Sequence, residues 1–227
     1  MTRLAVTAQT IRRIHAALDR AYGPLGDMPL DDPVDSLIET ILTQNTSGQN
    51  STRAFRSLKQ AFPRWTKALR ARPAEIEERI RCGGLAKTKS VRIRNVLAAI
   101  KEREGRISLE RLRDMPTRQA LDYLLRLDGV GVKTACCVLL FALGRPVMPV
   151  DTHVYRIARR LRWLRPSVPI EKAGECLESI IPPGLVLPLH LHLIAHGRRI
   201  CRARNPACHR CPIRAHCPEG RKRHRSP

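Results

Sequence analysis

Two groups of residues in this sequence have the types and spacing to do chemistry. The first centres on a lysine in an awkward place. In LDGVGVKTACCVLLFALG, residues 127–144, Lys133 opens an apolar helical run directly after a turn with two glycines. The first turn of a helix carries a partial positive charge, so a cation there is poorly placed. The helix end, the glycine hairpin and a positively charged chain all disfavour an added proton. The amine is therefore expected to be neutral more often than that of a free lysine, and a neutral amine is a nucleophile. The plain alternative is a surface lysine that grips a phosphate.

Asp151 is the residue that favours chemistry. From Lys133 the expected helix climbs ten residues to Leu143, about 15 Å at the usual rise. The segment GRPVMPV, residues 144–150, is kept extended by its two prolines and can span up to roughly 23 Å. That is enough to return Asp151 to Lys133, where it would begin the next helix as its N-cap. A capping carboxylate is held in place and stays ionised. An amine and a fixed carboxylate above a phosphate-binding hairpin make a site for chemistry at a sugar C1′.

The second group is sulfur. Cys201, Cys208, Cys211 and Cys217 read C-x6-C-x2-C-x5-C, four cysteines within 17 residues. In a reducing compartment this is a metal site. Structural zinc usually takes thiolates as two close pairs, and only Cys208 and Cys211 form one. A compact loop wrapped round a larger iron–sulfur cubane suits the spacing better, with zinc left open. Arg202, Arg204, Arg210 and Arg214 lie between the ligands. They either project towards a phosphate backbone or line a solvated loop. Cys82, Cys136, Cys137 and Cys176 sit in apolar or helical contexts and are expected as small buried hydrophobes. His192 and His196 stand at i, i+4, but their leucine-rich setting favours packing over metal binding.

Composition narrows the partners. Lys and Arg number 42 against 20 Asp and Glu, a net charge of +22, which points to a polyanion and most simply to nucleic acid. Aromatics are 4% of the chain, too few for a single-strand binder built on stacking platforms. No run approaches the ~20 apolar residues that span a bilayer, so no membrane partner is expected. The N-terminus lacks the continuous apolar segment of a signal peptide. It is basic like a mitochondrial presequence, yet Ile11, Ile14 and Leu18 fall at helical spacing and Asp19 breaks the basic run, so an ordinary first helix is expected. Without export the cysteines stay reduced. A monomer in the cytoplasm, beside a prokaryotic nucleoid, is the expected setting.

The elements that must position these groups are helices; alternating strand patterns are nearly absent. Helices are expected over 35–42, 52–62, 73–80, 90–100, 118–127, 132–143, 152–163, 170–181 and 189–200. The stripe of the 90–100 helix is read as Val91, Val96, Leu97 and Ile100. Thr117 is expected to cap the helix that follows it. The 117–127 and 132–143 helices joined by DGVG form a helix–hairpin–helix. Gly129 and Gly131 give the turn its geometry, and with Val130 leave N–H groups uncovered where a phosphate oxygen docks. A mere glycine turn between packed helices is the alternative, and the charge counts against it.

LDGVGVKTA, PVDTHVYRIARRL and the cysteine loop, in this order, resemble the endonuclease III family of DNA glycosylases. The resemblance extends through ILTQNTS, GGLAKTKS and LHLIAHGRRIC and covers about Leu30 to Cys217. It implies an all-α, two-lobed fold with the DNA groove between the lobes. A six-helix barrel over 28–137 would hold the hairpin (about 117–143). An iron–sulfur domain would combine 1–27 with 138–217, and 218–227 would be a basic disordered tail. It implies a [4Fe-4S] cluster, and excision of oxidised pyrimidines from double-stranded DNA followed by strand cleavage at the abasic site. Lys133 would be the nucleophile and Asp151 its partner. Gln44 resembles the residue that fills the gap left by a flipped base, and Leu85 the wedge on the opposite strand. Asp128 stands where the family often has proline, Val132 lacks a basic side chain some members carry, and Ala86 and Lys87 replace aromatic and polar residues. Those departures put lesion preference in doubt. Two rivals stay open: a monofunctional mismatch or uracil-type glycosylase, and a non-catalytic DNA-binding module with a structural metal. The adenine-specific relatives lack the lysine and carry a further C-terminal domain, whereas only ten residues follow Cys217 here.

Overall fold

The computed structural model describes residues 6–26 and 28–225, with side chains to 222. Among them every regular element is helical. The helices are α1 (Ala8–Tyr22), α2 (Pro33–Thr43), α3 (Gly48–Ala61), α4 (Trp65–Arg70), α5 (Pro73–Ile80) and α6 (Ala86–Glu104). They continue as α7 (Thr117–Leu125), α8 (Val132–Phe141), α9 (Thr152–Arg160), α10 (Ala173–Glu178), α11 (Val186–Arg199) and α12 (Pro218–Arg225).

The chain forms two compact units, Leu30–Arg145 and Met1–Pro29 with Pro146–Pro227. The second crossing falls after α8 rather than at 137, because α8 runs unbroken to Phe141.

In Leu30–Arg145 the organising element is α2. Asp32 caps it through Oδ1, which accepts from Val34 N and Asp35 N at 2.9 Å each, and Pro33 occupies the first helical position. Leu37, Ile38, Ile41 and Leu42 are wholly buried, and α2 packs on α3, α6 and α8. On the polar side Asp35 Oδ1 accepts from Lys59 Nζ at 2.9 Å and from Trp65 Nε1 at 2.6 Å, tying α3 and α4 to α2. In the other unit α11 packs on α1 and α9. Ile11, Ile14 and Leu18 are buried, so the basic N-terminal segment is an ordinary packed helix over Ala8–Tyr22.

Several expected details are corrected. Thr117 is the first residue of α7 and not its cap; Pro116 holds the cap position without a side-chain bond, and Thr117 Oγ1 instead accepts from Arg145 Nη1 at 3.3 Å. In α6 Val91 is exposed, and the buried face is Lys89, Ile93, Val96, Leu97 and Ile100. Pro218–Arg225, expected as disordered tail, is helix α12; residues 226–227 lie outside the described residues. Cys136 and Cys137 are buried, whereas Cys82 and Cys176 are only half-buried.

Asp35→Ala should lower the free energy of unfolding by about 2–3 kcal/mol, since two hydrogen bonds to one partly buried carboxylate are lost. Urea unfolding followed by tryptophan fluorescence measures this. A change below about 0.5 kcal/mol would mean that the three-helix tie is not a stabilising contact.

Candidate active site

The hairpin between α7 and α8 is tight. Val130 N donates to Leu127 O at 3.1 Å, and both side chains are buried. Gly129 sits at φ +73°, and a Cβ there would run into the side chain of Arg92. Glycine is required at this position on both counts. Gly131 caps α8 at φ −88° with open space where a Cβ would stand. The first N–H groups of α8 have no partner inside the helix, and a helix N-terminus of this kind suits an anion. The side chain of Val130 packs inward and its N–H is used within the turn, so the expected phosphate contact of Val130 is not met and the residue shapes the hairpin instead.

Lys133 is half-buried in the first turn of α8, and Thr134 behind it is buried. Thr134 Oγ1 accepts from Gln44 Nε2 at 3.3 Å. Gln44 itself is the C-cap of α2, and its Oε1 accepts from Arg92 Nη1 at 2.6 Å. Arg92 thus lies against the hairpin glycine and holds the glutamine at once. The structure brings together Gln44, the hairpin and the helix turn that carries Lys133.

Leu85 is placed differently. It precedes α6 in the left-handed region, at φ +50° and ψ +32°, with 55% of its surface exposed. A bulky apolar residue in this conformation costs about 1–3 kcal/mol, and such strain is kept where surrounding structure enforces it. Leu85 is therefore not a core residue. Asp128 and Val132 are exposed at the hairpin rim, and Ala86 is half-buried.

Asp151 belongs to the other unit. It is the N-cap of α9, with Oδ1 accepting from Val154 N at 2.8 Å. The second carboxylate oxygen is left for another partner.

The four cysteines converge. Cys201 follows α11, and Cys208, Cys211 and Cys217 come from the short turns before α12. All four line one small cavity with Ile157, Leu161, Ile200 and Ile213, and none is in a disulfide. Hydrogen-bond donors face the sulfurs: Arg160 Nη1 lies 3.1 Å from Cys201 Sγ, and Gly220 N lies 3.3 Å from Cys217 Sγ. Burial, with smaller parts from the neighbouring cysteines, pushes the Cys211 thiol up to about 11. Four sulfurs that share one apolar chamber with N–H donors fit a polynuclear cation that takes them as thiolates. Arg160 also donates to Arg202 O at 2.8 Å and Ala203 O at 3.1 Å, which fixes the loop while Arg202 and Arg204 stay exposed. His196 is buried, 2.6 Å from the Tyr22 hydroxyl through Nδ1 and 3.6 Å from Cys211 Sγ through Nε2; burial, with a smaller part from the charge of Arg156, brings its pKa down to about 4. His192 Nε2 lies 3.2 Å from Gly23 O.

Two residues at this site escaped sequence reasoning, Lys89 and Arg92. Lys89 is 1% exposed, and Nζ donates to Leu42 O and Gly83 O at 2.9 Å each. Burial lowers its pKa, and the charge of Arg92 adds to that. A signal was present: Lys89 stands four residues before Ile93, in the register of the buried stripe of α6.

These features agree with what the chain resembles. Residues 38–183 match the model of the HhH-GPD superfamily of base excision DNA repair proteins, and residues 201–217 that of the iron–sulfur binding domain of endonuclease III. Endonuclease III of Thermotoga maritima is 34% identical over 192 residues, 85% of each chain. A protein of Arabidopsis thaliana named as a DNA glycosylase is 41% identical over 177 residues, 78% of this chain and 60% of that one, so this chain spans less than two thirds of its length. A solved covalent intermediate of endonuclease III trapped on DNA superposes with a TM-score of 0.80 at 29% identity, covering 96% of this chain and 99% of that one. The chain belongs to the helix-hairpin-helix superfamily of base excision DNA repair proteins, and within it to the endonuclease III family of DNA glycosylases. It is accordingly a DNA glycosylase, with a [4Fe-4S] cluster as its cofactor. Among the described residues no helix is long and apolar enough to cross a membrane.

Gly129→Ala should cost about 1–3 kcal/mol of stability, because a positive φ and a displaced Arg92 are combined. Chemical denaturation checks the loss. Removing the obstructing side chain as well, in Gly129→Ala with Arg92→Ala, should recover part of it.

Proposed function

We propose that the protein removes oxidised pyrimidines from double-stranded DNA and then cleaves the strand at the resulting abasic site. Lys133 is the nucleophile and Asp151 the assisting carboxylate. The observation that carries the reading is the position of Lys133, half-buried in the first turn of α8 immediately after a tight glycine hairpin. The trapped covalent intermediate of endonuclease III supports it by likeness.

Gly129 and Gly131 take the backbone phosphate through main-chain N–H groups, while Val130, whose N–H is donated to Leu127 O, holds the turn closed. The damaged nucleotide leaves the stack, which is easier where the lesion has already weakened it. Gln44 fills the vacated space and Leu85 separates the pair from the opposite strand. Leu85 is suited to this because it is exposed, apolar and held in a fixed left-handed conformation. Lys133 Nζ, in its unprotonated form, bonds to C1′, and the glycosidic electron pair leaves with the base. Asp151 stabilises the positive charge developing on the sugar and can take the proton that the amine releases. The sugar ring opens to a Schiff base between Nζ and C1′. Loss of a C2′ proton then expels the 3′ phosphate and nicks the strand.

Cys201, Cys208, Cys211 and Cys217 hold the cluster, which when bound cross-links the loop presenting Arg202 and Arg204. That loop adds cations for phosphate contacts, and those contacts make affinity depend on salt. The protein acts as a monomer on DNA in the cytoplasm.

Borohydride trapping on a panel of duplexes, each with one oxidised, deaminated or mismatched base, tests the whole reading; trapping must be strongest on oxidised pyrimidines. Lys133→Gln should abolish both trapping and nicking while still binding DNA, and nicking at the wild-type rate would remove the assignment. Asp151→Asn keeps a good N-cap residue, so the helix start should survive. Its base release in single-turnover assays should nevertheless fall by about a hundredfold or more.

A further inference from the structure

We propose that Lys89 is a positioning residue for excision: from the buried face of α6 it sets the spacing between the segment that carries Gln44 and the segment that carries Leu85. The inference rests on the reading of Gln44 and Leu85 as the pair that enters the duplex.

One ammonium holds the ends of both segments. Leu42 lies in the last turn of α2, where carbonyls have no partner inside the helix and the negative helix end favours a cation. Gly83 ends the short turn before Gly84 and Leu85, which take φ +67° and +50° in succession. Nζ donates to both carbonyls at 2.9 Å, so the two oxygens can stand no further apart than twice that distance. Lys89 also donates its own backbone N–H to Leu85 O at 2.9 Å. Gln44 and Leu85 each follow a clamped carbonyl by two residues, at most about 7 Å of chain. One turn further along α6, Arg92 completes the arrangement by holding the Gln44 side chain.

The choice of a cation needs a reason. A methionine would fill nearly the same space without the desolvation cost of a buried ammonium, and replacing buried charge by packed apolar groups is often neutral or stabilising. No carboxylate is bonded to Nζ, whose two acceptors are both main-chain oxygens. What an apolar side chain would not do is bind two carbonyls from different segments and fix their separation. Positions carrying reactive or intruding groups are sensitive to shifts of about 1 Å.

The test uses the full-length, cluster-loaded protein and a duplex with one thymine glycol opposite 2-aminopurine. Lys89→Met should slow single-turnover excision about ten- to a hundredfold, and reduce the 2-aminopurine fluorescence that reports unstacking. Affinity for undamaged duplex should change by less than about threefold, since phosphate contacts supply it. Lys89→Arg, which keeps donors at that depth, should recover most of the rate. In a Leu85→Ala background the added cost of Lys89→Met should shrink to less than about threefold, because the two act as one unit. If Lys89→Met does not fold, Lys89→Gln, with one N–H2 group, carries the same comparisons. Wild-type excision by the Lys89 variant, or a loss that multiplies in full in the Leu85→Ala background, overturns the inference while leaving the reading of Gln44 and Leu85 intact. Wild-type rates for Gln44→Ala and Leu85→Ala themselves overturn that reading and the inference with it.

Discussion

Every helix leaves its terminal N–H and C=O groups without partners inside itself, and this protein places the residues proposed to act on DNA where that shortage falls. Gln44 is the residue after α2, Leu85 the residue before α6, Lys133 the second residue of α8, and Asp151 the cap of α9. Cys201 follows the end of α11. A chain of many short helices has many such ends, and each must be satisfied or left for a ligand. Here the carbonyl end of α2 meets Lys89, the amide end of α9 meets Asp151, and the amide end of α8 is left to the open side of the hairpin.

That allocation also orders the electrostatics. A chain with net charge +22 attracts a polyanion from any direction and by itself selects no register on it. Register comes from fixed donors. Gly129 cannot carry a side chain without displacing Arg92, and Arg92 cannot move without releasing Gln44. The hairpin, the glutamine and the first turn of α8 are therefore one mechanical unit inside Leu30–Arg145. On the other unit Arg160 does the equivalent work for the cysteine loop, binding two of its carbonyls and facing one of its sulfurs.

Much of this was legible in the residues themselves. Helix positions followed from apolar spacing, the capping role of Asp151 from its place between an extended proline segment and an amphipathic run, and the shared cavity of the four cysteines from their crowding. What failed was local and has physical causes. Thr117 is displaced from the cap because Pro116, with its fixed φ, already turns the chain into α7. Val91 has the apolar character and helical setting that predict burial, whereas a lysine such as Lys89 is of a type almost never buried. The strain at Leu85 and the clash that makes glycine obligatory at 129 depend on φ values and on a side chain 37 positions away in sequence, and no periodicity carries that information.

Lys89 also shows why burial alone is a poor guide to stability. Its ammonium loses water, lies near a second cation and gains only main-chain acceptors, so the fold tolerates it rather than depending on it for net free energy. Removing the charge without replacing its bonds would strand two carbonyls, and substituting a larger apolar group would push apart the segments they end. Both routes alter the distance between Gln44 and Leu85 before they alter the core formed by Leu37, Ile41, Val96 and Leu97. A cation in that position is better explained by the geometry it enforces than by the energy it contributes, which is the arrangement expected where two segments must be held apart to receive a rigid duplex.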